Sequence, residues 1–201
     1  MVAAEDTRTT RKLLTRYEIQ VPTISYFEGN SRQRLPKILS YLEEGDVALV
    51  TEAGTPGVSD PGADLVRAAA NAGYPVVPIP GPSALAAALS VSGLSGDRFT
   101  FLGFLPRRPR QRKSVLQQVI AHPWPLVLYE SPHRVIACLK DLLEVLGDRD
   151  VVVAREMTKI YEEVFRGSIS QAMERFTAPR GEFTIVVAPV ALFAERSAEL
   201  S

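Results

Sequence analysis

The chain has 201 residues, of which 46% are hydrophobic, so it is long enough to bury the core of one or two domains. Its 23 basic and 23 acidic residues cancel, which excludes a global attraction to nucleic acid and leaves such binding to local patches. The single cysteine, Cys138, excludes an intramolecular disulfide. No secretory signal or membrane span is visible, so we expect a cytoplasmic protein without a membrane partner.

Strands and helices alternate along the first half of the chain, which is typical of an α/β protein. A helix near the N-terminus is expected to bury Leu13 and Leu14, and a second helix begins with a capping box formed by Asn30 and Gln33. Later helices have a proline near the start and a glycine near the end. The elements predicted next are a strand at 47–50, a helix at 61–73, a strand at 74–79, a helix at 82–93 and a strand at 99–104.

The composition changes at residues 105–113, which are rich in proline and arginine, and we predict the domain junction there. One domain is therefore expected over residues 1–105 and a second over 106–201. The second is predicted to be a mixed sheet with helices. Its elements are a helix at 111–121, a strand at 125–129, a helix at 135–146, short strands at 151–154 and 162–167, and a final strand at 183–187.

The predicted strand at 47–50 runs directly into a turn rich in glycine and proline, residues 53–62. Glycine permits positive φ and close ligand approach, while proline stiffens the chain. A turn at the carboxyl end of a strand is where open α/β sheets bind small ligands. It has neither the lysine of a P-loop nor the glycine spacing of a dinucleotide fingerprint. The alternative is an ordinary strand-to-helix turn, with Asp60 as N-cap and Pro61 as the first helical residue.

A second turn of similar composition, Pro80–Ala84, precedes a helix rich in alanine. Two adjacent turns of this kind could line one crevice. The small helix residues allow a flat ligand or another backbone to approach, and the first amides of the helix can face a ligand oxygen. The alternative is close packing of the helix on a sheet, which alanine serves equally well.

A run of positive charge follows the strand at 99–104. The prolines are expected to hold this segment extended, and its side chains could meet RNA phosphates through charge-assisted contacts. The alternative is a solvated interdomain loop. A second basic set, near the N-terminus, consists of Arg8, Arg11, Lys12 and Arg16. The run itself comprises Arg107, Arg108, Arg110, Arg112 and Lys113.

Linked motifs along nearly the whole chain resemble those of the bacterial small-subunit ribosomal RNA cytidine 2′-O-methyltransferases, a family of the tetrapyrrole methylase superfamily. The motifs occur in the order that the family has. Together they are far more specific than any one alone. The segments that carry the resemblance are Glu5–Arg8, Ala53–Gly62, Pro80–Ala84, Phe101–Pro106, Tyr129–Arg134 and Arg155–Lys159.

The resemblance implies a two-domain α/β fold of the tetrapyrrole-methylase type, with mixed sheets flanked by helices and S-adenosyl-L-methionine bound in a cleft between the domains. It implies small-subunit ribosomal RNA, or the ribosomal subunit, as the partner. The family usually forms homodimers, and we expect the Leu102–Leu105 region to be exposed for this contact. The family also has a strand, loop and helix before the Glu5–Arg8 motif and a helical extension at the C-terminus, so we expect this chain to be shortened at both ends.

The resemblance also implies site residues. The glycine and proline turns would contact the cofactor, and the aromatic residues at two strand ends would stack on its adenine ring. Phosphate contacts would come from the basic run together with His133 and Arg134. The implied cofactor contacts are Ala53, Gly54, Thr55, Pro56, Val58, Ser59, Asp60, Pro82, Ser83, Ala84, Phe104 and Tyr129.

Methyl transfer to a ribose hydroxyl depends on alignment, and it benefits from a general base or from a cation near the developing alkoxide. The motifs supply Lys159 and Glu130 as first choices, with Asp6 and Arg8 as further candidates. A lysine whose pKa is lowered by burial could act as the base. The alternatives are structural: Asp6 caps the first helix and Glu130 satisfies loop amides. The two histidines have no partner spacing typical of a metal site, so we expect no metal.

Two other functions remain open. The same scaffold methylates small tetrapyrroles in other branches of the superfamily, but that activity gives no role to the arginine run. The chain could also be a shortened, non-catalytic remnant that binds RNA or protein. Fold alone does not separate these possibilities, because function depends on the site.

Overall fold

The computed structural model describes residues 1–190, and the chain divides into two compact units, one over Met1–Ser83 and one that begins at Ala84. The domain boundary predicted after residue 105 stays a prediction. Residues 191–201 of the predicted second domain lie outside the described range.

Helices and strands alternate through both units, as the sequence predicts. In chain order the described elements are β1 (Val2–Ala4), α1 (Thr7–Arg16), β2 (Thr23–Ser25), α2 (Ser31–Leu42), β3 (Ala48–Val50), α3 (Ala63–Asn71), α4 (Ala84–Ser90), β4 (Thr100–Phe104), α5 (Pro109–Gln118), β5 (Leu126–Glu130), α6 (Val135–Leu146), β6 (Asp150–Arg155), β7 (Glu163–Ser168), α7 (Ile169–Arg175) and β8 (Phe183–Val187).

The first unit contains a parallel sheet, three-stranded within residues 1–83, in the order β2-β1-β3. The chain passes from β1 to β2 on one side and then returns to β3 on the other, so the strand order reverses between β1 and β3. Such a reversal is the topological switch point at which open α/β sheets bind ligands. The sheet packs through Ala3 and Ile24 against Ile38 of α2 and Leu65 of α3, with Tyr26 in the same cluster.

The second unit contains a mixed sheet, five-stranded within the described residues, in the order β4-β5-β8-β6-β7. Strand β4 is parallel to β5, and β8 is antiparallel to both β5 and β6. Strands β4, β5 and β6 therefore point the same way, and their carboxyl ends lie at one edge of the sheet. The mixed α/β architecture agrees with the predicted fold class.

Alternation along the central strands of the second unit separates two apolar faces, because successive strand side chains point to opposite sides. Leu128 and Ile185 belong to a large cluster that includes residues of α5, α6 and α7. Their neighbours Val127 and Val186 belong to a smaller cluster that includes Ala88 of α4. Both faces of the sheet are therefore buried, each against helices.

Elements with strong local patterns have the bounds that the sequence predicts, whereas elements with weaker patterns do not. Helix α6 and strand β8 match their predicted ranges, and α6 ends at Gly147, whose φ is 80°. The predicted strand at 74–79 is wrong: these described residues form no strand, and Ile79 is 83% exposed. An apolar run needs a pairing partner to become a strand, and this one has none in the described structure. Strands β1 and β2 and helix α7 were not predicted.

Two local expectations in the first unit are also wrong. Within the described residues, Asn30 makes no side-chain capping bond, because its amide oxygen instead accepts from Phe27 N at 2.9 Å. On α1, Leu13 is 53% exposed and Thr10 is the buried residue. Leu14, one turn after Thr10 on the same face, is partly buried, so the expectation is wrong for Leu13 alone.

The basic run is not an extended loop. Pro109 begins helix α5, since proline suits the first helical turn. The Arg112 side chain is buried between α5 and α6, where Nε donates to Asp141 Oδ2 at 2.6 Å. Lys113 pairs with Glu144 Oε2 at 2.6 Å. The RNA-binding role predicted for Arg112 is therefore wrong, because its guanidinium is removed from solvent.

The buried Arg112–Asp141 pair predicts a large stability effect. Asp141→Ala leaves a guanidinium uncompensated in the core, and we expect the free energy of unfolding to fall by about 3–5 kcal/mol. Urea denaturation followed by circular dichroism measures this. Glu144→Ala removes an exposed partner of the same helix pair and is the matched control, with an expected cost below about 1 kcal/mol. Equal effects of the two variants would contradict a buried, stabilising pair.

Candidate functional site

The first-unit edge is formed by the residues that follow β1 and β3, Glu5–Arg8 and Thr51–Asp60. Backbone and side-chain bonds join these two segments. Glu5 N donates to Val50 O at 3.0 Å, and Glu52 N donates to Glu5 Oε2 at 3.1 Å. The predicted motifs on either side of the switch point are therefore held together, although they lie 47 residues apart.

Asp6 is the N-cap of α1, as the structural alternative proposed. Its carboxylate accepts from Arg8 N at 2.7 Å and from Arg8 Nη2 at 2.9 Å. The side-chain hydrogen bond from Arg8 is the main reason that the pKa of Asp6 falls to about 2. A carboxylate with so low a pKa is a weak proton acceptor. The geometry therefore favours a structural role for Asp6 and gives Arg8 a fixed partner.

The glycine and proline turn has the special backbone that its composition indicates. Gly54 has φ 72°, Gly57 has φ 82°, and Ser59 adopts φ 61°, a value that non-glycine residues rarely take. The N-cap of α3 is Gly62, so the alternative in which Asp60 caps this helix is wrong. Among described atoms, none lies within 4 Å of a Cβ built on Gly54. The turn thus presents open, unobstructed backbone at this position.

The second turn lies beside the first within the same unit. Thr55 Oγ1 donates to Pro82 O at 3.4 Å, so the structure brings together two of the segments predicted to bind the cofactor. The first amides of α4 were expected to face a ligand oxygen, but one of them is already bonded within the protein. Leu85 N donates to the Tyr129 hydroxyl at 3.0 Å, so this amide is not available to a ligand oxygen.

The second-unit edge is formed by the carboxyl ends of β4, β5 and β6 and by the residues that precede β8. It gathers the predicted residues that follow separate strands, because those strands run in the same direction. Its members are Phe104–Leu105, Tyr129–Arg134, Arg155–Lys159 and Gly181–Glu182.

An aromatic cluster lies at the ends of β4 and β5. The Tyr129 ring contacts Phe101 at 5.1 Å and Phe104 at 5.7 Å between centroids. Phe104 is 52% exposed and offers a surface on which a planar group could stack. The expected exposure of the whole 102–105 segment is wrong, because Leu105 is buried and Leu102 packs against the main core.

Glu130 and Arg134 have structural partners. The buried Glu130 carboxylate accepts from Ser131 N at 2.8 Å and lies 3.1 Å from Arg134 Nη2, which also donates to Leu105 O. Glu130 therefore satisfies a loop amide, as the structural alternative proposed, and it also pairs with the partly buried Arg134. Arg134 is occupied by these contacts, whereas His133 between them is exposed.

Lys159 does not have the environment of a lysine base. Its ammonium lies 2.8 Å from Glu182 Oε2 and 3.0 Å from Glu156 Oε1. These hydrogen bonds, the one to Glu182 most of all, raise the pKa of Lys159 above its ordinary value. The expectation of a lowered pKa is therefore wrong, because the carboxylates outweigh burial. The sequence did not identify Glu182 as a site residue; its signal was that Gly181–Thr184, which leads into the last strand, resembles the closing motif of the family.

Metal and membrane features are missing from the described residues. Residues 1–190 contain no group of three or more potential metal-ligating side chains of the His, Cys, Asp or Glu type. None of the helices in this range is long and apolar enough to cross a membrane.

The Asp6–Arg8 contact predicts a measurable titration. A depressed carboxyl pKa stabilises the fold above the ordinary value of about 3.9, and the stabilisation is lost as the pH falls through about 2. Carboxyl carbon NMR should give a midpoint for Asp6 near 2 and a higher one in Arg8→Ala. Arg11→Ala, on the same helix, should leave the midpoint unchanged. A wild-type midpoint at the ordinary value would contradict the contact.

Comparison with known proteins gives a consistent family. Residues 1–173 match the Tetrapyrrole (Corrin/Porphyrin) Methylases. The chain is 47% identical to Ribosomal RNA small subunit methyltransferase I of Synechocystis sp., over 94% of this chain and 69% of that protein. It is 45% identical to the protein of the same name from Thermotoga maritima, over 93% of this chain and 85% of that protein.

A solved structure has the same fold at low sequence identity. It is the uroporphyrin-III C-methyl transferase from Thermus thermophilus complexed with S-adenyl homocysteine. It superimposes with a TM-score of 0.62 at 17% identity, covering 96% of this chain and 86% of that chain. The sequence match and the shared architecture lead to one conclusion: the chain belongs to the tetrapyrrole (corrin/porphyrin) methylase family.

Proposed function

We propose that the chain is an S-adenosyl-L-methionine-dependent methyltransferase that methylates the 2′-hydroxyl of a cytidine in small-subunit ribosomal RNA. The observation that carries the proposal is the identity of 45–47% to proteins named for methylation of this RNA, over more than nine-tenths of the chain. The choice of the ribose oxygen, and of cytidine, rests on the motif resemblance.

The first-unit edge fits the cofactor. The backbone at Gly54 is open, and the Thr55–Pro82 contact brings the two turns together. Residues 53–60 and 82–83 of the first unit would contact the cofactor, while Ala84, Phe104 and Tyr129 of the second unit stay expected contacts that rest on the motif resemblance. When bound, the cofactor supplies an electrophilic methyl group on a sulfonium.

The second-unit edge supplies the charge that the acceptor needs. The cofactor would donate its methyl group to the ribose oxygen and leave as the neutral thioether, and the hydroxyl proton would pass to solvent. Negative charge develops on the acceptor oxygen before the new bond is complete, and a fixed cation lowers the energy of that state. Lys159 fills this role as an ammonium, which agrees with its raised pKa.

The RNA contacts are reassigned to the side chains that reach solvent. Arg107, Arg108 and Arg110 are exposed at the start of α5, and His133 is exposed on the second-unit edge. Guanidinium groups are well suited to phosphate because they present paired N–H donors. Arg112, Lys113 and Arg134 leave the proposed contact set, since each has a carboxylate partner within the protein.

A small tetrapyrrole is the second candidate substrate. It is favoured by the family itself, whose members include the structurally similar uroporphyrin-III C-methyl transferase. The three exposed arginines have no role in this alternative. A homodimer and a cytoplasmic location accompany the main proposal as expectations of the same kind, and a non-catalytic binding role is the outcome if no transfer occurs.

The decisive experiment is a transfer assay with labelled S-adenosyl-L-methionine and small ribosomal subunits that lack the modification. Mass spectrometry of the digested nucleosides should find 2′-O-methylcytidine. Methyl groups on a base would contradict the proposal. Transfer to uroporphyrinogen III and not to RNA would favour the second candidate, and transfer to neither would favour a non-catalytic role.

A matched pair of glycine variants controls for backbone strain. Gly54 and Gly73 both have positive φ, 72° and 83°, and among the described atoms neither has one within 4 Å of an added Cβ. Alanine should therefore cost similar stability at each position. Only Gly54→Ala should weaken cofactor binding in calorimetry, by about tenfold or more, since an added methyl overpacks a close contact.

The arginine proposal predicts a change in salt dependence. A variant with Arg107→Ala, Arg108→Ala and Arg110→Ala should bind the ribosomal RNA more weakly, and the slope of log affinity against log salt should shrink by about 2–3, because three phosphate contacts are lost. Filter binding across a salt series measures both effects.

A control variant removes three exposed cations elsewhere on the chain, at Lys37, Arg67 and Lys140. It has the same change in net charge, so it isolates the position of the charges. An equal loss of slope in the control and the arginine variant would show that the effect is global charge and would contradict a local RNA contact.

A further inference from the structure

The ammonium of Lys159 is held by carboxylates that come from different parts of the chain. Glu156 lies three residues before it, at the end of β6, and Glu182 lies 23 residues after it, just before β8. We propose that Glu182 is the positioning residue that fixes Lys159 at the acceptor oxygen. This inference rests on the proposed function, because it assigns Lys159 a role in the methyl transfer.

The backbone locks the two carboxylates together. Glu156 N donates to Glu182 O at 3.0 Å, and Glu182 N donates back to Glu156 Oε1, also at 3.0 Å. The same Glu156 oxygen accepts from Lys159 Nζ. The three residues thus form a closed set of hydrogen bonds, and a displacement of one displaces the others.

Unusual backbone geometry supports this arrangement. Glu156 has φ 50° and Thr158 has φ 67°, values that are costly for residues with a Cβ and that occur at functional sites more often than elsewhere. A Cβ added to Gly181 would overlap with Cγ and Cδ of Glu156, so only glycine leaves room for that side chain. Gly181 is therefore part of the same device, although it has no side chain of its own.

The two carboxylates have different surroundings. The Glu156 side chain is 17% exposed, and its carboxylate accepts hydrogen bonds from the Glu182 amide and from Lys159. Glu156 is therefore the anchored member of the set. The Glu182 side chain is 71% exposed, and its carboxylate accepts from Lys159 Nζ at 2.8 Å. Removing the Glu182 charge therefore alters the restraint on Lys159 and leaves the contacts of Glu156 with the Glu182 amide and Lys159 in place.

The protonated state of Lys159 leaves one N–H donor for a substrate. An ammonium has three N–H donors, and the two carboxylates accept two of them. The third has no partner within the described residues, and the side chain is 45% exposed, so it is accessible to a substrate oxygen. The neighbouring carboxylates also keep the group protonated, which suits a cation that must stabilise charge.

The test compares Glu182→Gln with Glu174→Gln, which changes an exposed carboxylate on α7. We expect Glu182→Gln to lower kcat by at least about tenfold while KM for S-adenosyl-L-methionine stays within about twofold, since a misplaced group costs rate more than binding. The control should keep full activity. Side-chain NMR of Lys159, without any substrate, should show its pKa falling toward the ordinary value in Glu182→Gln only.

A second pair of variants tests the same device without removing a charge. Gly181→Ala should push Glu156 aside and lower kcat in the same way as Glu182→Gln. Gly93→Ala is its control, because Gly93 has a similar φ of 76° and, in the described structure, open space around an added Cβ. Thermal denaturation of all four variants shows whether each remains folded.

The outcomes separate this inference from the function on which it rests. An active wild-type enzyme whose kcat and Lys159 pKa are unchanged by Glu182→Gln overturns the positioning role alone. A fall in kcat without any change in the Lys159 pKa also overturns it, because Glu182 would then act by another route. A folded wild-type enzyme that transfers no methyl group to RNA overturns the proposed function itself and this role with it.

Discussion

The common direction of β4, β5 and β6 is the constraint on which the second-unit edge depends. These strands are far apart in the chain, and β8 lies antiparallel between β5 and β6. Their carboxyl ends therefore open at one edge, where Tyr129, Glu130 and Arg155 complete their strands. The antiparallel β8 brings its own amino end to the same place, and with it Glu182. An edge assembled in this way collects side chains from four separate segments, three of which contribute polar groups.

Desolvation decides which of the many arginines are available for the proposed RNA contact. A buried guanidinium is tolerated only with a partner, because the cost of removing it from water is several kcal/mol. Arg112 is buried and has such a partner in Asp141, while the partly buried Arg134 pairs with the buried Glu130. Arg107, Arg108 and Arg110, at the start of α5, are exposed, whereas Arg112 is buried. The helical period of α5 thus places some cations of one short basic run at the surface and another in the interior.

Local patterns were sufficient where the structure is decided locally. Helix α6 has a continuous apolar period and a glycine stop, and its bounds were predicted from them. The segment at 74–79 has the composition of a strand but no partner, and pairing is a tertiary property. The contact between Lys159 and Glu182 depends on the register of β6 and β8, in which Arg155 lies opposite Phe183. No pattern in a single sequence specifies that register, so the motif residues were predicted and their connection was not.

The same register settles what kind of chemistry Lys159 can perform. A lysine base must lose its proton near neutral pH, which requires burial or a neighbouring cation. Here the nearest charges are carboxylates, they lie within 3.0 Å, and they favour the protonated form. In the proposed reaction the proton of the acceptor hydroxyl therefore leaves by another route, and the ammonium would stabilise the oxygen that remains. Under that proposal, methyl transfer relies on placement and fixed charge, which are the two properties that the closed hydrogen-bond set of Glu156, Lys159 and Glu182 gives to the ammonium.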